Sequence, residues 1–139
     1  MKIIVLTLCI LSFSLNVIGQ KADLKVILED IEESKGTIYI SLHSKEETFP
    51  DNSDDSVITI TLTDFDSNAE YTFKNLDKGD YAISFFQDLN DNEELDTNFI
   101  GFPKEPVGAS NMTSLARPKF SKCKFSLESD KTLNLQFMN

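Results

Sequence analysis

Residues 73–81 read FKNLDKGDY, and they stand between two runs in which apolar and polar side chains alternate. Upstream Tyr71 and Phe73 share one face, and downstream Tyr81, Ile83 and Phe85 share another. Within the stretch, Leu76 is spaced to plug the end of a core and Tyr81 to reach back over the turn. Gly79 is expected to supply the positive φ that ends a Lys-Gly turn. The stretch reads as a tight corner of a β-sandwich.

Working outward, the same period of two recurs along most of the chain, the mark of strands covered on one face. Leu24, Val26 and Leu28 alternate with Lys25 and Glu29; after the turn EESKG, Ile38, Ile40 and Leu42 alternate with Tyr39 and Ser41. These two runs are expected to form a hairpin. Ile58, Ile60 and Leu62 face away from Thr59, Thr61 and Thr63, and near the end KCKFSLE and TLNLQFM repeat the pattern. Cys123, Phe125 and Leu127 fall on one strand face, and Leu133, Leu135 and Phe137 on another. The prediction is an all-β, antiparallel, seven-stranded β-sandwich of prealbumin or immunoglobulin type. The Phe-x-x-Leu-x-x-Gly-x-Tyr spacing resembles that of transthyretin-like and carboxypeptidase-regulatory-like sandwiches.

The chain opens with Met1, Lys2 and the apolar run IIVLTLCILSFSLNVIG, which reads as a signal peptide over residues 1–19, too short and too polar for a bilayer span. Residues 20–139 then form a single β-sandwich domain, large enough to bury about two thirds of its unfolded surface. The compartment expected is periplasmic or extracellular. The precursor carries 13 Lys and Arg against 23 Asp and Glu, net −10, and loss of Lys2 takes it to −11. Such a surface repels nucleic acid and anionic lipid. Cys123 is the one cysteine left after processing, so it forms no internal disulfide and is expected to be buried. No membrane span is expected in the mature domain, which is predicted to be a monomer.

Two stretches break the alternation. His43–Asp55, HSKEETFPDNSDD, reads as an acidic connecting loop with His43 at the surface. From Asp88 to Lys119 lies a long ordered loop between the fifth and sixth strands, containing Phe99, Ile100, Phe102, Val107, Met112 and Leu115. That much apolar surface predicts a flap over Thr97–Lys119 packed on the sandwich.

The flap is preceded by DLNDNEELD, Asp88–Asp96, whose oxygen-bearing residues Asp88, Asn90, Asn92 and Asp96 occupy positions 1, 3, 5 and 9 of a calcium loop. The carbonyl of Glu94 falls at position 7. Ca2+ takes six to eight hard oxygens in a flexible cage, so these residues, with Glu105 from the flap as closing ligand, are the candidate metal set. Glu93 stands at position 6, where a glycine normally turns the chain, and Phe99 at position 12, so the loop is no EF-hand. Two charged ligands imply weak affinity, about 0.1–1 mM. The competing reading is a solvated acidic turn, against which stand five carboxylates between Gln87 and Asn98 with no basic residue among them.

Catalytic patterns are sparse. There is one histidine, no Gly-x-Ser-x-Gly elbow, no His-Glu-x-x-His and no glycine-rich phosphate cradle, so no catalytic residue is assigned. Tyr39 and Phe86 on an outer strand face are the nearest thing to a sugar-stacking surface.

The run YAISFFQDLNDNEELDTNFIGFPKEPVGASN resembles the signature of a bacterial family, domain of unknown function 2141. The matching positions are Asp88, Asn90, Asn92, Asp96, Thr97, Asn98, Phe99, Gly101, Pro103, Glu105, Gly108, Ser110 and Asn111. Gln87 stands where relatives often carry histidine, and Pro106 and Val107 replace a usual Gly-aromatic pair. The resemblance implies an exported sandwich with loop and flap as one unit, and it brings no activity. The function expected is that of a noncatalytic exported protein whose calcium loop orders the flap for a protein or glycan partner at the cell envelope. The alternative is a small-molecule or glycan-binding protein, or a small hydrolase, with a carboxylate site under the flap.

Overall fold

The computed structural model describes residues 19–51 and 57–138; the predicted signal peptide lies, but for Gly19, outside them. Eight strands are present among these residues: β1 (Lys21–Glu29), β2 (Thr37–His43), β3 (Val57–Leu62), β4 (Ala69–Asp77), β5 (Gly79–Asp88), β6 (Val107–Ala109), β7 (Phe125–Leu127) and β8 (Lys131–Gln136). A short helix, α1 (Phe120–Cys123), precedes β7. One sheet has the order β4-β1-β8, and the other has β3-β2-β5-β6 with β7 also paired to β5. The chain is a β-sandwich. All pairings are antiparallel except β1 with β8, which is parallel.

The alternating stripes pack between the sheets. Leu24, Val26 and Leu28 of β1 meet Ile38, Ile40 and Leu42 of β2, with Phe73, Ile83, Phe85 and Leu127, all nearly inaccessible. A second, smaller cluster of Phe49, Ala82, Ala109 and Cys123, flanked by Met112 and Phe120, lies on the other face of β5, because Ala82 and Ile83 are neighbours in a strand and point to opposite sides.

The β1–β2 hairpin does not form. β1 pairs with β4 and β8, β2 pairs with β3 and β5, and residues 30–36 cross from one sheet to the other. Two strands with strongly apolar inner faces gain more by opposing each other than by lying side by side, and seven residues span the ~10 Å between sheets. Ile31 is buried on the way and its N–H donates to Ser67 O at 2.9 Å.

The corner between β4 and β5 forms as expected, and two other expectations change. At the corner Leu76 is buried and Tyr81 donates from its hydroxyl to Asp77 O at 2.8 Å. Gly79 has the positive φ expected of it, 157°, and a second positive-φ residue, Asn75 (φ 56°), precedes it. Asn75 sits where the β1–β4 register slips between Ala22 and Leu24, and its N–H is held by Asp23 Oδ1 at 2.9 Å. A β-bulge thus turns the chain. The count is eight because β6, three residues long, is too short to show a period. Cys123 ends α1 instead of lying on a strand, and it is buried all the same.

Candidate loop-and-flap site

The site is built at the end of β5. Thr37, which opens β2, is in register with Asp88, which closes β5. Gly36 (φ 72°) packs so closely here that an added Cβ would sit 2.0 Å from the Asp88 carbonyl oxygen. Gln87, wholly buried, points the other way and donates from Nε2 to the carbonyls of Glu33 and Lys35 at 2.6 and 2.8 Å. The crossing segment and the acidic loop are therefore locked together before the loop begins.

Asp88 is fully buried. Its Oδ1 accepts from the Asn92 N–H at 3.3 Å and its Oδ2 from the Glu93 N–H at 2.8 Å, so position 1 of the loop holds positions 5 and 6. The chain can curl this tightly because Asp91 and Glu93 both take left-handed conformations, φ 54° and 65°. Glu93 occupies the glycine position with the backbone of a glycine. Asp96 closes the circle: its carboxylate accepts from Asn90 Nδ2 at 2.7 Å and from Asn92 Nδ2 at 3.2 Å. The side-chain Oδ1 of Asn90 accepts from Asn92 N–H, and Oδ1 of Asn92 from Glu94 N–H. Side chains of Asp88, Asn90, Asn92 and Asp96 are thus drawn into one hydrogen-bonded ring, while Asp91 is held outside it by the Thr37 hydroxyl at 3.0 Å.

Glu105 has a different place. It is buried, and its two oxygens accept from Leu89 N–H at 2.8 Å and Asp96 N–H at 3.0 Å, so it clamps both ends of the loop from the flap. Among the described residues no three His, Cys, Asp or Glu side chains gather at one point. A cation here would draw on amide and carbonyl oxygens beside the carboxylates of Asp88 and Asp96, an all-oxygen set that suits Ca2+ or Mg2+ and not Zn2+.

Beside the loop lies the outer-face pair Tyr39 and Phe86, stacked with centroids 4.8 Å apart and planes within 5°. Burial, and then the negative charges of Glu93, Asp88 and Asp91, push the Tyr39 phenol above its ordinary value. Under the flap, Glu32, Glu33 and Glu105 line a cleft of about 240 Å³ with Leu89, Pro103 and Leu115. That is smaller than the ~300–1,000 Å³ common for small-molecule sites.

His43 is not the surface residue expected from its place beside an acidic loop. It is 1 % exposed, with Nδ1 3.2 Å from Thr48 Oγ1 and Nε2 3.0 Å from Ser84 Oγ. The Ser84 hydroxyl donates to Pro50 O at 2.8 Å, and the Phe49 ring meets the imidazole edge-on. This polar cluster pins the 45–50 segment to the sheet. Its clue in the sequence was alternation alone, which puts His43 on the face of Tyr39 and Ser41.

Half of the flap packs as predicted and half does not. Ala109 is buried and Met112 packs against the second cluster, with the Ser110 hydroxyl donating to Cys123 O and accepting from Ile83 N–H. Phe99, Ile100 and Phe102 instead face solvent.

A two-sheet sandwich whose central strand runs into a self-bonded acidic loop, clamped by a glutamate from the following flap, defines the class of protein. Residues 26–135 match the family described as an uncharacterized protein conserved in bacteria, DUF2141, and the chain belongs to that family. No curated protein and no solved structure matches the chain. No helix of the described residues is long and apolar enough to cross a membrane.

Proposed function

We propose that this chain is an exported, noncatalytic β-sandwich whose Asp88–Asp96 loop takes up Ca2+ weakly and thereby stiffens the flap as a binding surface at the cell envelope. The observation that carries the calcium reading is the backbone of Glu93, left-handed at φ 65° with its N–H on the Asp88 carboxylate. A β-carbon in that conformation is unfavourable by about 1 kcal/mol or more, and the curl it produces directs alternate side chains at one point. Asp88 and Asp96 supply charge; Asn90 and Asn92 supply oxygens once their carboxamides turn inward; the Glu94 carbonyl and water complete the set. Glu105 transmits the effect, because it holds Leu89 and Asp96 from the flap side. The cleft with Glu32, Glu33 and Glu105 favours a second reading, a small-molecule or glycan site under the flap.

Thermal melts of residues 20–139 in chelator, in ~5 mM Ca2+ and in equal Mg2+ test the proposal. At ten times its dissociation constant, calcium adds about 1.4 kcal/mol, a rise of several degrees that magnesium does not reproduce. Asp96→Ala removes the rise. Asp88→Ala does the same with a lower starting Tm, since it also removes the acceptor of the Glu93 N–H. An unchanged calcium shift in both variants sinks the assignment.

A further inference from the structure

Residues 97–103, TNFIGFP, form a tip at the base of the flap. Thr97 and Pro103 are bridged, and Lys104 N–H donates to Asp96 O at 2.8 Å. Within the tip, Asn98 N–H donates to Phe102 O and Gly101 N–H to Asn98 O. The Asn98 side-chain oxygen accepts from the N–H groups of Ile100 and Phe102, both at 3.0 Å. The turn is held by its own backbone and one asparagine, so no apolar contact is needed to keep it folded. Phe99, Ile100 and Phe102 are accordingly free to point outward, 98 %, 63 % and 51 % exposed. Three large apolar side chains on an ordered turn of an otherwise acidic surface are unfavourable in water unless something covers them.

We propose that the Thr97–Pro103 tip is a peripheral membrane anchor that inserts Phe99, Ile100 and Phe102 into the outer part of a zwitterionic bilayer. Residues 97–103 carry no charge, and the first charges on either side, Asp96 and Lys104, lie together at the base. A hairpin with three residues per arm is roughly 10 Å tall, which matches the ~5–10 Å depth of interfacial insertion. At that depth Asp96 and Lys104 sit among headgroups that offer both signs of charge. Anionic bilayers are disfavoured by the net charge of −10 and by Glu93 and Glu94 next to the tip. Rings and an aliphatic chain radiating from a turn suit a fluid interface better than a rigid pocket. The inference rests on the reading of the flap as a binding surface and does not require calcium in the loop.

The test is flotation of residues 20–139, which contain both sheets and both apolar clusters, with phosphatidylcholine vesicles in chelator and in ~2 mM Ca2+, and with phosphatidylglycerol vesicles in chelator. The expected result is binding to phosphatidylcholine in both media, weaker binding to phosphatidylglycerol, and at least tenfold weaker partition of Phe99→Ser/Ile100→Ser with an unchanged Tm. Absence of binding to phosphatidylcholine, or binding indifferent to the double substitution, overturns the anchor and leaves the tip to a protein pocket. A calcium-selective melt without vesicle binding keeps the loop assignment while removing the tip's; vesicle binding without a calcium shift does the reverse.

Discussion

Tyr39 reports on the acidic loop from outside it. Its phenol is pushed up by burial and then by Glu93, Asp88 and Asp91, so in the folded chain it keeps its proton to higher pH than in the unfolded chain. Stability referred to this group is intact below pH ~10 and is lost as pH rises through the folded value, because the unfolded state releases its proton first. Melts between pH 9 and 11.5 should therefore show a steeper alkaline decline in the wild-type chain than in Tyr39→Phe. Equal slopes would mean that neither burial nor the loop charges shift the ring. Gly36 is the other residue that matters singly: its positive φ and its contact with the Asp88 carbonyl leave no room for a side chain. Nothing in ESKGT distinguishes it from an ordinary turn glycine, since the residue it touches lies more than fifty positions away.

At the scale of elements, the loop and flap behave as one unit because Glu105 satisfies an N–H at each end of the loop. Glutamine keeps one acceptor and presents an NH2 to the other N–H. Glu105→Gln is expected to lose roughly 1–3 kcal/mol, the range for stranding a buried donor, and to speed hydrogen exchange at Leu89 and Asp96 together. Exchange that rises at one amide alone would show that the clamp is not shared. Sequence reading named Glu105 as a closing ligand from the flap; its burial and two amide partners show a further role, as a strut between flap and loop. The residues of the loop were legible because Asp and Asn at every second position are informative by type and spacing. The Asn98-capped tip was not, because only exposure separates a packed Phe-Ile-Gly-Phe from one that faces water.

The whole molecule carries its excess negative charge on a small sandwich, with acids on loop, corner and strand ends. Self-repulsion opposes compaction and is screened within a Debye length of about 10 Å at 0.1 M salt. Raising NaCl from about 20 to 500 mM should increase Tm by a few degrees in the wild-type chain and in Asp96→Ala alike. A fall in Tm would show that exposed pairs such as Lys21–Asp77 and Lys124–Asp80 outweigh the net charge. This general effect is separable from a calcium site, which acts at millimolar concentration and distinguishes Ca2+ from Mg2+.

Period-two alternation determined the inner face of most strands, and with it the sandwich and the membership of its main core, since a strand's side chains have only two directions to choose between. Residue chemistry likewise marked Asp88–Asp96 as the loop of interest. Which strands became neighbours was decided by tertiary structure: β1 chose β4 and β8 over β2, and one of those pairings is parallel, because alternation carries no information about partner or direction. Tertiary structure also decided that His43 is buried, that Glu93 takes a glycine's backbone, and that Phe99 faces out. Each depends on contacts or hydrogen bonds made at a distance along the chain or by the local backbone fold, which residue identity alone does not encode.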